Sequence, residues 1–473
     1  MMFYETSFDD FAASDPREVF PVVRERASDL ITPVGAAMRL FTPGEPSFLL
    51  ESAEGGERIG RYSLLGIRPT ASIGRYGESL DDLRTFLAAH RVAKVPLPGA
   101  LPAAAVGYMS YDAVRMWEEI GDKNASPHPA FLFHHFRDIV VFDHLKQRLY
   151  CVTLTPSGVQ RTADEFRRVQ SRLDKLVEAL RAPAPVRPQV PTGGVEPEIR
   201  EVPDAQTFRE MVSTAQQHIE NGEVSQIVLS RSFQADYKGD PLKLYRALRM
   251  VNPSPFMFYL DHGDHVVVGA SPEDLCRVKG DRVETLPIAG TRLRGASDEE
   301  DEEIAAGLLA DPKEVAEHMM LIDLARSDLS QVCEPDSIVV EREMEVERFS
   351  HVIHLVSRVA GKKSPDKDVI DALCANFPAG TVSGAPRVRA MQLIDELEHT
   401  PRGIYAGSVL YFDGRGQMDA CIAIRSMVLR DGQVEIRTGA GIIAESTPQG
   451  EEQETRNKAL GSLTALSLAH RLD

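Results

Sequence analysis

Two pairs of glutamates, one isolated glutamate, one histidine and one arginine are the residues of this chain best placed for chemistry. In ADPKEVAEHMMLIDLARSDL, Asp311 is a natural N-cap and Pro312 suits the first helical position. Glu314 and Glu317, three apart, then share one helix face. Glu451 and Glu454 repeat that spacing near the C-terminus, with Lys458 four residues further on. Carboxylates from two helices suit Mg²⁺, which takes few protein oxygens and keeps waters or substrate oxygens; the same glutamates also read as ordinary exposed helix residues. Glu273 follows Ser271-Pro272 after an apolar run. Partly buried there, it would have a raised pKa and act as a general acid; the ordinary alternative is a glutamate favoured by a helix N-terminus. His354, between Ile353 and Leu355, is either a base or a satisfied core histidine. Arg425 reads as mid-strand within AIRSMV and needs a carboxylate, from a substrate or from a structural Asp or Glu. Glycine turns at TGAGI (438–442), at Gly290-Thr291 and around Thr381 offer backbone N–H groups that no side chain obstructs.

The elements that must position these groups divide around one linker. Residues 182–199, APAPVRPQVPTGGVEPEI, are rich in proline and glycine and poor in bulky apolar residues, which places a boundary between 1–181 and 200–473. Helical apolar spacing runs through 166–180 before it. After it, 204–223 reads as a helix with Asp204 as N-cap and a stop at Asn221-Gly222. The first part holds short strand candidates, SFLLES, RYSLLGI and a hairpin over 139–155. The second holds strand candidates at 266–271, 407–412, 420–430 and 433–443. Asp413-Gly414, Asp431-Gly432 and Gly439-Ala440-Gly441 read as the turns between them. Short turns imply antiparallel pairing. Helices at 311–330, 384–399 and 449–470 would cover the sheet faces, giving an α+β fold. The acidic run 297–304 reads as a solvated helix start or loop.

With 473 residues, the chain is too long for one ordinary core. Its net charge of −18 argues against nucleic acid as a partner, because phosphate binding needs basic surface. Five scattered cysteines without a CxxC pair imply a reducing compartment. The N-terminus has no basic start or apolar core of a signal peptide, and no run of about 18 apolar residues occurs. A cytoplasmic protein is expected.

An ordered series of blocks crosses the second half: SQIVLSR (225–231), GASPEDL (269–275), LPIAGTRLRG (286–295), EHMMLIDLARSDL (317–329), VIHLVSRV (352–359), PAGTVSGAPRVRAMQLIDELE (378–398), GIYAG (403–407), AIRSMV (423–428), TGAGI (438–442) and EEQETRNKAL (451–460). Weaker blocks are FLLES (48–52) and GRYSLLG (60–66). Together they resemble the chorismate-utilising enzymes, and among these the large subunits of anthranilate synthases. The resemblance implies two large antiparallel sheets packed as a sandwich and flanked by helices. It implies conversion of chorismate and ammonia to anthranilate and pyruvate, the first committed step of tryptophan biosynthesis. A dianionic substrate in an acidic protein needs local positive charge, which Mg²⁺ and helix N-termini would supply.

By the same resemblance, Glu317 and Glu454 are the magnesium ligands, with Glu314 and Glu451 in support. Tyr405 and Arg425 hold the enolpyruvyl carboxylate. Gly290, Thr381, Gly439, Ala440, Gly441 and Lys458 line the substrate, and Glu273, His354 and Thr291 are catalytic. Lys458 also fits an i,i+4 partner of Glu454. His351 forms an HxxH with His354 that is discounted, since a hard metal prefers oxygen. Gln226 stands where isochorismate-forming relatives carry a lysine, and Ala289 where aminodeoxychorismate synthases carry a nucleophilic lysine; aminodeoxychorismate synthase is the second reading, and Ala289 argues against it. Ser327 and Ser330-Gln331 depart from the usual pattern. No cysteine has GxCxG surroundings, so a separate glutamine amidotransferase subunit is expected as the ammonia source. Residues 49–52 and 252–258 resemble the segments that hold the inhibitor L-tryptophan. Glu51 and Ser52 would meet its ammonium group, and Pro255, Phe256 and Met257 its indole. Relatives that hold tryptophan as a fixed structural ligand leave inhibition itself open.

Overall fold

The computed structural model describes residues 3–52, 60–95, 103–121, 123, 126–185, 197–295, 297–348 and 352–472. Most of the 182–199 linker, and His351, lie outside these. The strand Phe131–Asp143 organises the rest. Its sequence lacks polar alternation and every residue but Arg137 is buried, as expected for a strand covered on both faces. One edge pairs along its length with Tyr62–Ile73. The other edge is shared: residues 131–134 pair with Ala105–Met109, and residues 138–143 with Arg148–Thr155. Two antiparallel sheets diverge from this strand.

The first sheet runs, in spatial order, Phe20–Ala27, Arg148–Thr155, Phe131–Asp143, Tyr62–Ile73, Ser47–Glu51, Phe256–Asp261, Val266–Ser271, Ser426–Arg430, Gln433–Ile442 and Gln226–Asp236. The second runs from Phe131–Asp143 through Ala105–Met109, Ser408–Phe412, Met418–Ile422, Asp274–Lys279 and Arg282–Thr285 to Val352–Lys362. Val352–Lys362 also pairs with Ile288–Leu293 and Val339–Arg348. Both sheets therefore contain strands from before and after the linker.

The sheets pack face to face. Phe48, Phe258 and Val267 of the first share one buried cluster with Val106, Tyr108, Val409 and Cys421 of the second. Helices Ala163–Arg181, Pro241–Val251 and Pro448–Ala469 cover the outer face of the first sheet. Val369–Ala375 packs on Asp274–Lys279 of the second, while Ala205–Glu220 and Arg387–Leu397 lie against Gln226–Asp236 at the end of the first. Burying one such phenylalanine contributes about 1.5–3 kcal/mol, against about 0–1 kcal/mol for an exposed ion pair. The sandwich interior, rather than the charged surface, holds the fold. This is the α+β sandwich expected from the sequence.

Local signals account for most boundaries. Asp204 caps Ala205–Glu220 by accepting from the Thr207 N–H at 2.9 Å, and Gly222 takes φ +75 beyond its end. The acidic run enters the helix Asp298–Ala310, capped by Ser297. The 384–399 segment differs from expectation: its helix starts only at Arg387, because Gly384-Ala385 pairs with Gln226-Ile227. Residues 420–430 are not one strand. Met418–Ile422 belongs to the second sheet and Ser426–Arg430 to the first, with a bend between. Nor is Gly439-Ala440-Gly441 a turn: it lies inside Gln433–Ile442, paired with Val228–Ser230. Among the described residues no helix is long and apolar enough to cross a membrane.

Candidate active site

The chain passes between the sheets at two neighbouring places, and a candidate functional residue stands at each. Residues 272–273 carry it from Val266–Ser271 to Asp274–Lys279, so Glu273 lies between strands rather than at a helix N-terminus. Residues 423–425 return it from Met418–Ile422 to Ser426–Arg430, which puts Arg425 at the bend, with φ +52. The two crossovers run side by side: Ala270 N–H donates to Arg425 O at 3.1 Å and Ile422 N–H to Glu273 O at 3.1 Å. The sandwich thus holds a carboxyl and a guanidinium at fixed spacing.

Glu273 is partly exposed, but protein crowds it, and loss of hydration pushes its pKa up to about 7. Two groups oppose that rise. Thr381 Oγ1 donates to Glu273 Oε1 at 2.7 Å, and the Lys458 ammonium adds a favourable field. Thr381 sits in the short 3₁₀ turn Gly380–Val382. The carboxyl is poised to exchange a proton near neutral pH.

Arg425 has no carboxylate partner among the described residues. Its Nη1 donates to Lys458 O at 3.1 Å, and burial lowers its pKa. A guanidinium kept half-buried without a counter-charge fits an anion that arrives from outside. Tyr405 lies beside it, buried, its phenol pushed up to about 12. Gly439 makes room for that phenol: a Cβ there would stand 2.6 Å from the Tyr405 hydroxyl and 2.9 Å from Leu229 O. Beyond Ile436 the strand Gln433–Ile442 has no strand partner among the described residues on the edge away from Gln226–Asp236, so its end contributes backbone there. Lys458 is the i,i+4 partner of Glu454, at 2.6 Å, and its Nζ also donates to Gly439 O at 3.0 Å.

A second group of candidates gathers around Ile288–Leu293 and Pro312–Ser330. Gly290, at φ +60, forms a bulge where the register against Val352–Lys362 shifts between Ala289 and Thr291. A Cβ there would meet Leu308 at 2.9 Å and Glu314 Oε2 at 3.2 Å. The bulge sets Thr291 opposite His354, although the Thr291 side chain lies outside the described residues. Burial pushes the His354 pKa down while a backbone hydrogen bond with Gly290 opposes it. The imidazole is therefore neutral at neutral pH and able to take a proton.

Of the four helix glutamates, Glu314 is taken by Arg292 at 2.9 Å. Glu317 is exposed and makes no ion pair among the described residues. Glu454 pairs with Lys458, and Glu451 Oε2 is buried without a hydrogen-bond partner among the described residues. Burial raises the Glu451 pKa and the Glu454 charge adds to it. An orphaned carboxylate oxygen beside a second carboxylate fits a cation. No three His, Cys, Asp or Glu converge on a metal-sized space among the described residues.

Sequence reasoning missed what holds these groups. Arg402, 5% exposed, pairs with Glu398 at 2.7 Å and donates to Val382 O and Val228 O, each at 2.6 Å. Its guanidinium lies 4.6 Å from the Tyr111 ring centre and 5.8 Å from that of Tyr405. One cation therefore ties the Thr381 turn, the strand opposite Gly439–Gly441 and the Tyr405 ring. His318, fully buried, joins the Glu317 helix to the His354 strand through Ser357 Oγ at 2.6 Å. The signal was legible in principle: an arginine two residues into TPRGIYAG and a histidine directly after Glu317.

Away from this site, Glu51 and Ser52 line a cavity of about 180 Å³ between the sheets, with Pro255, Phe256 and Met257 opposite. Glu51 pairs in register with Met257 on the next strand. Its buried carboxylate accepts from Tyr245 at 2.5 Å and lies 3.5 Å from Arg249, and burial raises its pKa against both. Ser52 Oγ is buried with no hydrogen-bond partner among the described residues.

The family model for chorismate binding enzymes matches residues 45–463. Anthranilate synthase component 1 of Aquifex aeolicus is 40% identical over 96% of both chains, and that of Streptomyces coelicolor 41% identical over 97% of this chain and 91% of its own. Among solved structures, anthranilate synthase component I from Streptococcus pneumoniae superposes with TM-score 0.77 at 35% identity, covering 93% of this chain and 99% of its own. The menaquinone-specific isochorismate synthase from Escherichia coli shares the fold, with TM-score 0.73 at 20% identity over 97% of each chain.

Proposed function

The chain belongs to the chorismate-binding enzymes, and on that footing we propose that it is the large component of an anthranilate synthase, converting chorismate and ammonia to anthranilate and pyruvate. The observation that carries this reading is a carboxyl with a pKa of about 7, held by Thr381 on one sheet crossover, beside an arginine without a counter-ion on the other. Arg425 and Tyr405 take the enolpyruvyl carboxylate. Ammonia adds at ring C2; the double-bond electrons shift and the C4 hydroxyl leaves with the proton of Glu273, as water. The added ammonium loses a proton, neutral His354 takes the C2 proton, and the C3–O bond breaks as the ring becomes aromatic; the enolpyruvate released gains a proton at its methylene carbon to become pyruvate. Glu317 and Glu454 would hold Mg²⁺, with Glu451 in support. When bound, the ion cancels the charge of the ring carboxylate, and waters and substrate oxygens complete its coordination.

Purified chain with chorismate, ammonium and magnesium should develop anthranilate fluorescence. Aminodeoxychorismate or isochorismate as the only product would defeat the reading. Against the aminodeoxychorismate alternative, Ala289 brings no amine to the strand Ile288–Leu293. A separate glutamine amidotransferase supplies the ammonia, so the single chain uses ammonium and not glutamine. Its setting is the cytoplasm.

The cavity between the sheets takes L-tryptophan as feedback inhibitor. Glu51 and the unpartnered Ser52 Oγ face its amino-acid end, and Pro255, Phe256 and Met257 its ring. Strands lining that cavity lead into the crossovers that carry Glu273 and Arg425. Inhibition follows if the two arrangements of the sheets differ in tryptophan affinity. Saturating tryptophan should raise the KM for chorismate, and Ser52→Phe should abolish that effect while sparing most of the uninhibited rate.

A further inference from the structure

A cavity of about 960 Å³ lies between the helix Leu80–Ala89, the segment from Lys363 to Ile370 and the end of the strand Ser408–Phe412. It contains none of the residues assigned above to substrate, metal or tryptophan. Its size is at the upper end of the range for small-molecule sites, about 300–1,000 Å³. Its apolar surface comes from Leu87 and Ala88 on the helix, with Ile370 and Phe412 buried behind. Its polar lining is mostly cationic, in a chain whose net charge is −18.

Not every cation there is available. Arg84 is held by Asp368 at 2.7 Å and Arg91 by Glu18 at 3.1 Å. Lys363 Nζ donates to the Lys367 carbonyl, which leaves its charge uncompensated. The ammonium groups of Lys94 and Lys367 have neither a carboxylate nor a hydrogen-bond acceptor among the described residues. Lys367 is half-buried, and part-burying a charge without a partner costs free energy. With Glu18 and Asp368 the only acidic lining residues among those described, cationic side chains remain in excess, and a cleft with such an excess attracts anions.

We propose that this cavity is a binding site for a small organic anion. A ring-sized apolar body would rest on Leu87 and Ala88, and a phosphate or carboxylate would meet Lys94 and Lys367. The proposal is independent of the reaction assigned above.

Calorimetric titration of the full chain with phenyl phosphate, inorganic phosphate and phenol separates the two halves of the claim. Phenyl phosphate should bind at one site at least tenfold more tightly than either of the others, and saturating chorismate should not displace it. Lys94→Glu combined with Lys367→Glu, both on the surface of the cavity, should weaken phenyl phosphate tenfold or more. Ala88→Trp, which fills the cavity from an exposed position, should do the same. Both variants should keep the parent's melting temperature and KM for chorismate. Unchanged phenyl phosphate affinity in either variant, displacement by chorismate, or equal binding of phosphate and phenyl phosphate would overturn the proposal.

Discussion

At the scale of single residues, the site turns on how Glu273 is kept near a pKa of about 7. Burial raises it and the Thr381 hydrogen bond lowers it, so the two effects can be separated. A general acid must be protonated. With the rate referred to free ammonia, kcat/KM should therefore fall as pH rises through about 7. Glu273→Gln should remove that limb together with about 10²–10⁴-fold in rate. Thr381→Val removes a donor that favours the carboxylate, so it should raise the pKa and move the alkaline limb to higher pH. A limb that moved to lower pH, or one that persisted in Glu273→Gln, would show that another group sets it. Residue type alone left Glu273, His354 and Arg425 with ordinary structural readings as well, and the resemblance of their blocks singled them out. It did not reveal Arg402 as the common anchor. That role depends on carbonyls of residues 228 and 382, which come near residue 402 only once the strands are paired.

At the scale of elements, two readings failed for one physical reason. ACIAIRSMVLR has the composition of one strand and TGAGI that of a turn, yet the first breaks between sheets and the second continues within one. Composition reports strand propensity. It does not report which sheet a strand joins, because that is decided by partners far along the chain. Asp413-Gly414 and Asp431-Gly432 were legible because a turn is local: both glycines take positive φ. The glycine at 439 is set by packing. Gly439→Ala would drive a methyl toward the Tyr405 hydroxyl and the Leu229 carbonyl. Overpacking of this kind costs about 1–3 kcal/mol. It should also raise the KM for chorismate at least tenfold, with a smaller change in kcat, by displacing Tyr405 from the carboxylate. Steady-state kinetics beside a urea melt would separate the two effects, and an unchanged KM would remove Tyr405 from the substrate grip.

At the scale of the whole molecule, a buried histidine cluster fastens one end of the sandwich. His134 bonds Ser72 at 2.7 Å and His262 at 2.9 Å, and His265 bonds Tyr108 at 3.1 Å and Asp264 at 3.0 Å. His128 lies against His265, and Arg75 and Arg430 add positive charge nearby. Burial pushes His128 and His134 down to about 4 and lowers His262 and His265 as well. A histidine whose pKa is lower in the folded state contributes stability that is complete above its unfolded value of 6.5 and lost as pH falls toward 4. Asp261, Glu273 and Asp274, whose pKa values are raised, act in the opposite sense over part of this range. The comparison is therefore made against a variant. His134→Gln keeps hydrogen-bonding capacity and should flatten the fall in melting temperature between pH 6.5 and 4 relative to the parent. Parallel curves would show that the cluster does not titrate with unfolding.

The strand order also bears on how the chain is made. Ser47–Glu51 pairs with Phe256–Asp261, and Ala105–Met109 with Ser408–Phe412, some 200 and 300 residues later. As the nascent chain leaves the ribosome, these early strands have one edge satisfied and the other open until distant partners have been synthesised. At about 5–20 residues per second, that interval lasts tens of seconds. Open, apolar strand edges are templates for pairing with other chains. The first third of this protein therefore depends on chaperones, or on slow, dilute synthesis, for a time set by the order of its own strands, and rapid overexpression is where that dependence will surface as insoluble protein.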